Sequence, residues 1–113
     1  MNVQQGSSRF VILTKNYVLK LPFNKTWTRF LWGLIANMNE IRFNKMQDER
    51  LAKVIFSLPG GFLVVMKRAE PLMNFDRKFL TDFCCSKDWK IPAEIKKDSF
   101  GYINGKLVAI DYG

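Results

Sequence analysis

The side chains that could do chemistry in this chain are charged groups rather than imidazoles or thiols. Among the 113 residues there is no histidine, which excludes nucleophilic triads that need an imidazole base. Cys84 and Cys85 are adjacent, a poor geometry for a disulfide, and we expect both to be reduced. Without a cysteine pair at ligand spacing the sequence predicts no zinc site. The candidates that remain are carboxylates and basic side chains.

One carboxylate, Asp111, stands where a short apolar strand ends, in the stretch KLVAIDYG. An aspartate at such a place is most often a turn or helix-capping residue. A role in binding is the alternative. It depends on which other groups the fold brings next to Asp111.

The charge of the chain favours an anionic partner. Eighteen lysines and arginines against ten acidic residues give a formal net charge of +8, which suits a nucleotide, a nucleic acid or an acidic protein surface. The basic residues are spread along the chain without a basic run or a known nucleic-acid module. Nucleic-acid binding is therefore one alternative among three.

The length and the apolar pattern predict one domain, residues 1–113, with a hydrophobic core. The longest apolar run, VIFSLPGGFLVVM, is interrupted by Pro59, Gly60 and Gly61 and is shorter than the roughly 20 residues that span a bilayer. The first ten residues lack the pattern of a secretion signal. We therefore expect a cytoplasmic protein with no membrane partner.

Several short runs have the composition of strands. RFVILTKNYVLKL contains two such runs around Lys15 and Asn16 and predicts a hairpin. KVIF and FLVVM are joined by SLPGG, whose Pro and paired Gly suit a tight turn between antiparallel strands. FLVVM does not alternate, so we expect a central strand covered on both faces. FGYINGKLVAID, with Asn104 and Gly105 at its turn, predicts a terminal hairpin.

A stripe of apolar residues at helical spacing predicts a long helix over residues 26–47. The stripe consists of Trp27, Leu31, Leu34, Met38 and Ile41. We expect the helix to pack over the sheet through the first four of these. Glu40 lies on a separate strip with Gly33, Ala36, Asn37 and Asn44. Because those neighbours are small or polar, a strand can approach and Glu40 need not face solvent.

The fold class predicted from these elements is α+β. It consists of an antiparallel sheet with one packed long helix, followed by a short helix in NFDRKFLTDFC and the terminal β-hairpin.

This order of elements resembles the protein-kinase-like superfamily. YVLKLP is similar to the third-strand motif that carries the nucleotide-binding lysine, which implies that role for Lys20, with Val18 on the same strand face. Glu40 stands at about the spacing of the helix glutamate that pairs with this lysine. The resemblance implies an ion pair between Lys20 and Glu40.

Two further stretches carry the resemblance. GGFLVVMKRAEPL is similar to the fifth strand and hinge, which implies that the backbone of Met66, Lys67 and Arg68 faces an adenine. IDYG is similar to the metal-binding D-F-G, which implies that Asp111 holds magnesium. ATP and magnesium are the implied cofactors, and a protein that uses neither is the alternative.

The phosphate loop departs from the family pattern. Only Gly6, Ser7 and Ser8 stand where a glycine-rich loop is expected, and they are the candidates for phosphate contact, with Arg9 adding charge. A polar chain terminus without such a role is the alternative reading.

The catalytic loop departs further. Counting back from Asp111, PAEIKKDS places Glu94 where the catalytic aspartate belongs and Ser99 where the metal-binding asparagine belongs. Asp98 is a substitute metal ligand for Ser99. Lys96 matches a lysine that steadies the transferred phosphate, although it also reads as an ordinary surface residue.

The resemblance covers an N-lobe with hinge, residues 1–72, and a truncated C-lobe, residues 73–113. Because two parts of the catalytic loop are altered, the leading hypothesis is a miniature pseudokinase that regulates or inhibits a host protein with an acidic surface. The chain resembles small kinase-like proteins of bacterial and phage accessory genes, which implies that it is encoded by a phage or mobile element. The alternatives are a minimal ATP-dependent phosphotransferase and a basic nucleic-acid-associated protein. The enzyme question stays open, with an inactive protein favoured.

Overall fold

A computed structural model describes residues 9–23 and 25–112 with their side chains, together with the backbone of residues 2–5. In chain order the elements are β1 (Asn2–Gln5), β2 (Phe10–Leu13), β3 (Tyr17–Leu21), α1 (Trp27–Asn44), β4 (Val54–Leu58), β5 (Leu63–Lys67), β6 (Glu70–Pro71), α2 (Arg77–Cys84), β7 (Phe100–Ile103) and β8 (Lys106–Ala109). Single 3-10 turns lie at Pro59–Gly61 and Lys97–Ser99. The predicted α+β class is confirmed.

The strands form two antiparallel sheets, one of five strands in the order β1-β2-β3-β5-β4 and one of three in the order β6-β7-β8. The interior position predicted for FLVVM is confirmed, because β5 lies between β3 and β4. Its predicted burial on both faces was wrong. Val64 and Met66 are buried, whereas Leu63 and Val65 on the opposite face are only half-buried.

The predicted hairpins are confirmed, and the Asn104–Gly105 turn has the backbone conformation that the second one needs. β2 pairs with β3 across Lys15 and Asn16, and β7 pairs with β8. In the second hairpin Asn104 and Gly105 have φ of 53° and 76°, the left-handed pair that suits the twist of two strands.

α1 begins after Thr26, whose hydroxyl accepts a hydrogen bond from the Arg29 amide at 3.2 Å. The prediction that its apolar stripe packs on the sheet was wrong. Trp27 is 72% exposed and Met38 42%. Leu31, at 40%, is also exposed, and Leu34 is half-buried.

The helix instead buries its other strip, which contains Gly33, Asn37 and Glu40. Polar groups of this strip find partners on the sheet, so their burial is compensated. Trp27, Leu31 and Met38 of the stripe are left exposed, whereas Leu34 is half-buried and Ile41 packs against the core.

One buried cluster joins both sheets and α2. It includes Met66 of β5, Leu80 of α2 and Phe100 of β7. The predicted short helix is confirmed as α2, which Asp76 caps by accepting from the Phe79 amide at 3.1 Å. No helix among the described residues is both long and apolar enough to span a membrane.

Candidate functional site

Lys20 of β3 points into the space between the sheet and α1, where its side chain is 6% exposed. Its ammonium group donates to Glu40 Oε2 at 2.9 Å and to Glu40 Oε1 at 3.1 Å. It also donates to the backbone oxygen of Ile110. The predicted ion pair between Lys20 and Glu40 is therefore present.

Glu40 accepts hydrogen bonds from three directions although it is completely buried. Besides Lys20, the guanidinium of Arg9 donates to Oε1 at 2.7 Å and to Oε2 at 3.2 Å. The Tyr112 amide donates to Oε2 at 3.1 Å. These five hydrogen bonds leave the carboxylate, which has about four lone-pair sites, with no free acceptor capacity.

Arg9 links this carboxylate to Asp111. Its Nη2 atom forms an ion pair with Asp111 Oδ1, and the Arg9 side chain is 8% exposed against 42% for Asp111. Two cations and two anions thus form one balanced cluster of Arg9, Lys20, Glu40 and Asp111, which we call the charge cluster.

Asn37 fixes the charge cluster to the backbone around it. Its Oδ1 accepts from Arg9 at 3.1 Å. Its Nδ2 donates to the Lys20 carbonyl at 3.0 Å and to the Gly61 carbonyl at 2.9 Å. One buried amide therefore holds α1, β3 and the turn before β5 in register.

Burial and pairing act in opposite directions on the pKa of Glu40. Burial raises the pKa, but the charges of Lys20 and Arg9 outweigh it and hold the pKa below the usual 4.5. Burial lowers the pKa of Lys20 in spite of the attraction of Glu40. The Glu40 carboxylate consequently stays ionised at neutral pH.

The hinge-like residues lie at one end of the paired segment of β3 and β5. Val18 is opposite Met66, which is buried, and Lys67 is opposite Tyr17. The Arg68 amide donates to Asn16 O at 2.9 Å. An adenine could use that amide only after this bond breaks.

The catalytic-loop candidates do not join the charge cluster. Glu94 is 77% exposed and Lys96 49%, and the two pair with each other at 3.5 Å. Asp98 is exposed. Ser99 is fully buried, and its hydroxyl has no hydrogen-bond partner among the described residues.

Two other predictions concern the phosphate loop and a metal site. Gly6, Ser7 and Ser8 lie outside the described residues. Within residues 9–23 and 25–112, no group of three or more metal-binding side chains lies together.

Sequence reasoning missed the part played by Arg9 and Asn37 in the charge cluster. Arg9 was considered only as added charge beside a phosphate loop, yet it lies next to Asp111, 102 positions along the chain. The one available signal for Asn37 was its place on the same helix strip as Glu40. Comparison with known proteins finds no matching family model, no matching curated protein and no matching solved structure.

Proposed function

We propose that this chain is a kinase-like binding module that transfers no phosphate and regulates or inhibits another protein. The observation that carries the proposal is the internal saturation of the charge cluster. The groups that would hold a nucleotide in a kinase-like protein hold one another instead.

Lys20 has no donor left for a phosphate. An ammonium group has three N–H donors, and the two Glu40 oxygens and the Ile110 carbonyl account for all of them. In the superfamily that the chain resembles, this lysine contacts the nucleotide phosphates. Such a contact here requires a buried bond to be given up.

Asp111 is paired in a way that does not suit magnesium. The ion is bound through carboxylates, waters and substrate phosphates, and the guanidinium of Arg9 lies against Asp111 Oδ1. A divalent cation at the same oxygen would be repelled by that positive charge. The residues present therefore do not fit a magnesium site in this arrangement.

The surface pair of Glu94 and Lys96 adds a third argument. A catalytic base has to lie within hydrogen-bond reach of the group it deprotonates. Glu94 is directed to solvent and to Lys96, and Ser99 is enclosed. Neither supports the transfer of a phosphoryl group.

The test measures ATP hydrolysis and autophosphorylation with magnesium in the natural protein, in Asp111→Ala and in Asp88→Ala. Asp88 is an exposed aspartate that serves as the matched control. We expect no turnover above background in any of the three. Turnover by the natural protein that Asp111→Ala abolishes and Asp88→Ala retains would overturn the proposal in favour of a minimal phosphotransferase.

A further inference from the structure

The outer side of α1 carries apolar side chains that the described structure leaves partly exposed. Leu31, Ile35 and Met38 are 40%, 43% and 42% exposed. They are followed on the same side of the helix by Arg42 and Lys45, which are also exposed. We call these five residues the α1 seam.

The spacing of the α1 seam is that of a helix-packing surface. Its members follow one another at intervals of four, three, four and three residues, the alternation that keeps side chains facing a second helix. Residues on one side of any helix recur at these intervals, and a row of them along the axis is a surface along which a second helix can lie. An α-helical occupant therefore fits the seam.

Large aromatic residues border the first turns of the seam. Trp27 is 72% exposed and Trp32 59%. Trp27 stacks on Phe30 with ring centroids 5.4 Å apart, and Phe30 in turn stacks on Phe23 at 6.0 Å. Exposed tryptophans beside an apolar surface are common anchors of protein interfaces.

Charge identifies the chemistry of the partner. Residues 1–39 contain no aspartate or glutamate, and the first acidic residue, Glu40, is buried. No ion pair among the described residues involves Arg42 or Lys45. The end of the seam is therefore positive and without a counter-charge, which suits acidic side chains on the occupant.

The same charges argue against two other occupants. A second copy would bring two chains of net charge +8 together, and that self-repulsion opposes association. A lipid surface selects helices whose apolar and basic residues are separated around the axis. In the α1 seam they are separated along the axis, with apolar residues first and basic residues after them.

We propose that the α1 seam docks an amphipathic α-helix of a partner protein, with apolar residues against Leu31, Ile35 and Met38 and acidic residues against Arg42 and Lys45. The proposal rests on the proposed function as a binding module and specifies its surface and partner class. Peptide binding and ATP turnover are measured separately, so failure of this proposal can be distinguished from failure of the proposed function.

The test uses fluorescent helix-forming peptides three heptads long. Each has leucine at the seam positions of two heptads and glutamate at those of the third. One peptide carries the glutamates first and the other carries them last, so that both helix directions are sampled. A third and a fourth peptide replace every glutamate by lysine. Binding is followed by fluorescence anisotropy.

We expect an acidic peptide to bind and the lysine peptides not to bind. Leu31→Ala with Ile35→Ala should weaken binding about tenfold or more. The matched control, Met73→Ala with Phe79→Ala, changes two exposed apolar residues outside the seam and should leave binding unchanged. Because all four residues are exposed, circular dichroism should show folded variants.

A charge-reversal variant tests whether the contact with acidic residues is specific. Arg42→Glu with Lys45→Glu should lose the acidic peptide and gain a lysine peptide. Lys78→Glu with Lys97→Glu changes the net charge equally at exposed positions outside the seam and should do neither. Higher salt should weaken the acidic contact, because exposed charges are screened beyond about 8 Å at physiological ionic strength.

Several outcomes would overturn the proposal. These are failure of both acidic peptides to bind, equal binding by the seam variants, and equal binding of lysine peptides to the natural protein. Two further outcomes would also overturn it. Binding to phosphatidylserine vesicles that the seam variants lose would assign the face to lipid. A dimer in sedimentation that the seam variants lose would assign the face to a second copy.

Discussion

Glu40 is the residue on which the other buried charges of the site depend. Its carboxylate lies between Arg9 and Lys20, whose side chains are themselves 8% and 6% exposed. A buried charge without its partner is costly because the protein interior does not solvate it as water does. Removing the Glu40 charge would leave two cations competing for the half-exposed Asp111.

Glu40→Gln should lower the free energy of unfolding by about 3–5 kcal/mol at neutral pH, the range for breaking a buried ion pair. Urea unfolding at 25 °C measures it. Glu94→Gln makes the same substitution at an exposed carboxylate and should change stability by no more than about 0.5 kcal/mol. Equal losses in the two variants would show that the charge cluster is not stabilising.

The stability of the natural protein should fall at acidic pH because the Glu40 carboxylate becomes protonated. The pKa of Glu40 is lower in the folded chain than its usual 4.5, so the unfolded chain takes up the proton first as the pH falls. The stabilisation is complete above about pH 4.5 and is lost as the pH falls through the folded pKa. The slope of stability against pH in that acidic range, measured by urea unfolding, should be shallower in Glu40→Gln than in the natural protein.

The contact between α1 and the turn before β5 is set by a glycine. Gly61 has φ of +80°, and a Cβ there would lie 2.4 Å from the Leu34 carbonyl oxygen and 3.0 Å from Met38 Cγ. No side chain fits at that distance. The helix can therefore sit close enough for Asn37 to reach the Gly61 carbonyl.

Gly61→Ala should cost about 1–2 kcal/mol for the left-handed backbone and a further amount of about 1–3 kcal/mol for overpacking against the helix. Thermal and urea unfolding measure the sum. Gly105→Ala is the matched control, because Gly105 has φ of +76° but a Cβ there would meet nothing within 4 Å. Equal losses at the two positions would contradict the close approach of α1.

Arg50 connects the segment after α1 to the segment around α2. Its guanidinium pairs with Asp48 at 2.7 Å and donates to the Cys84 carbonyl at 2.9 Å and the Trp89 carbonyl at 3.2 Å. It also lies over the Trp89 ring, 5.5 Å from the centroid. Hydrogen bonding to Arg50 holds the pKa of Asp48 well below its usual range. The two parts of the molecule are thus joined by polar contacts as well as by the shared core.

Arg50→Ala should lower the free energy of unfolding by about 3 kcal/mol. It removes the guanidinium that pairs with the buried Asp48 and leaves that carboxylate only the Lys87 ammonium, 3.8 Å away, and the backbone amide of residue 50. Hydrogen exchange should show faster exchange of the Leu80 amide, inside α2, and of the Cys85 amide, directly after it. Arg29→Ala, at an exposed arginine of α1, should leave both measurements unchanged. Unaltered protection of those amides in Arg50→Ala would show that the core alone holds the two parts together.

The local elements could be predicted because their signals are local. Period-two and helical spacing, the SLPGG turn and the Asn104–Gly105 turn each depend on a few neighbouring residues, and the observed hairpins and helices follow them. The pairing of Lys20 with Glu40 was also predicted, from the resemblance of the chain to the protein-kinase-like superfamily.

The sequence by itself determined the types and order of the elements and the positive charge, because these depend on local pattern and composition. Only the tertiary structure decided which side of α1 is buried. The apolar stripe is the usual choice, but Asn37 and Glu40 find fixed partners on the sheet, and a satisfied polar strip can be buried. It also decided that Arg9 joins Asp111, since no local pattern links residues 102 positions apart whose attraction exists only after the chain has folded.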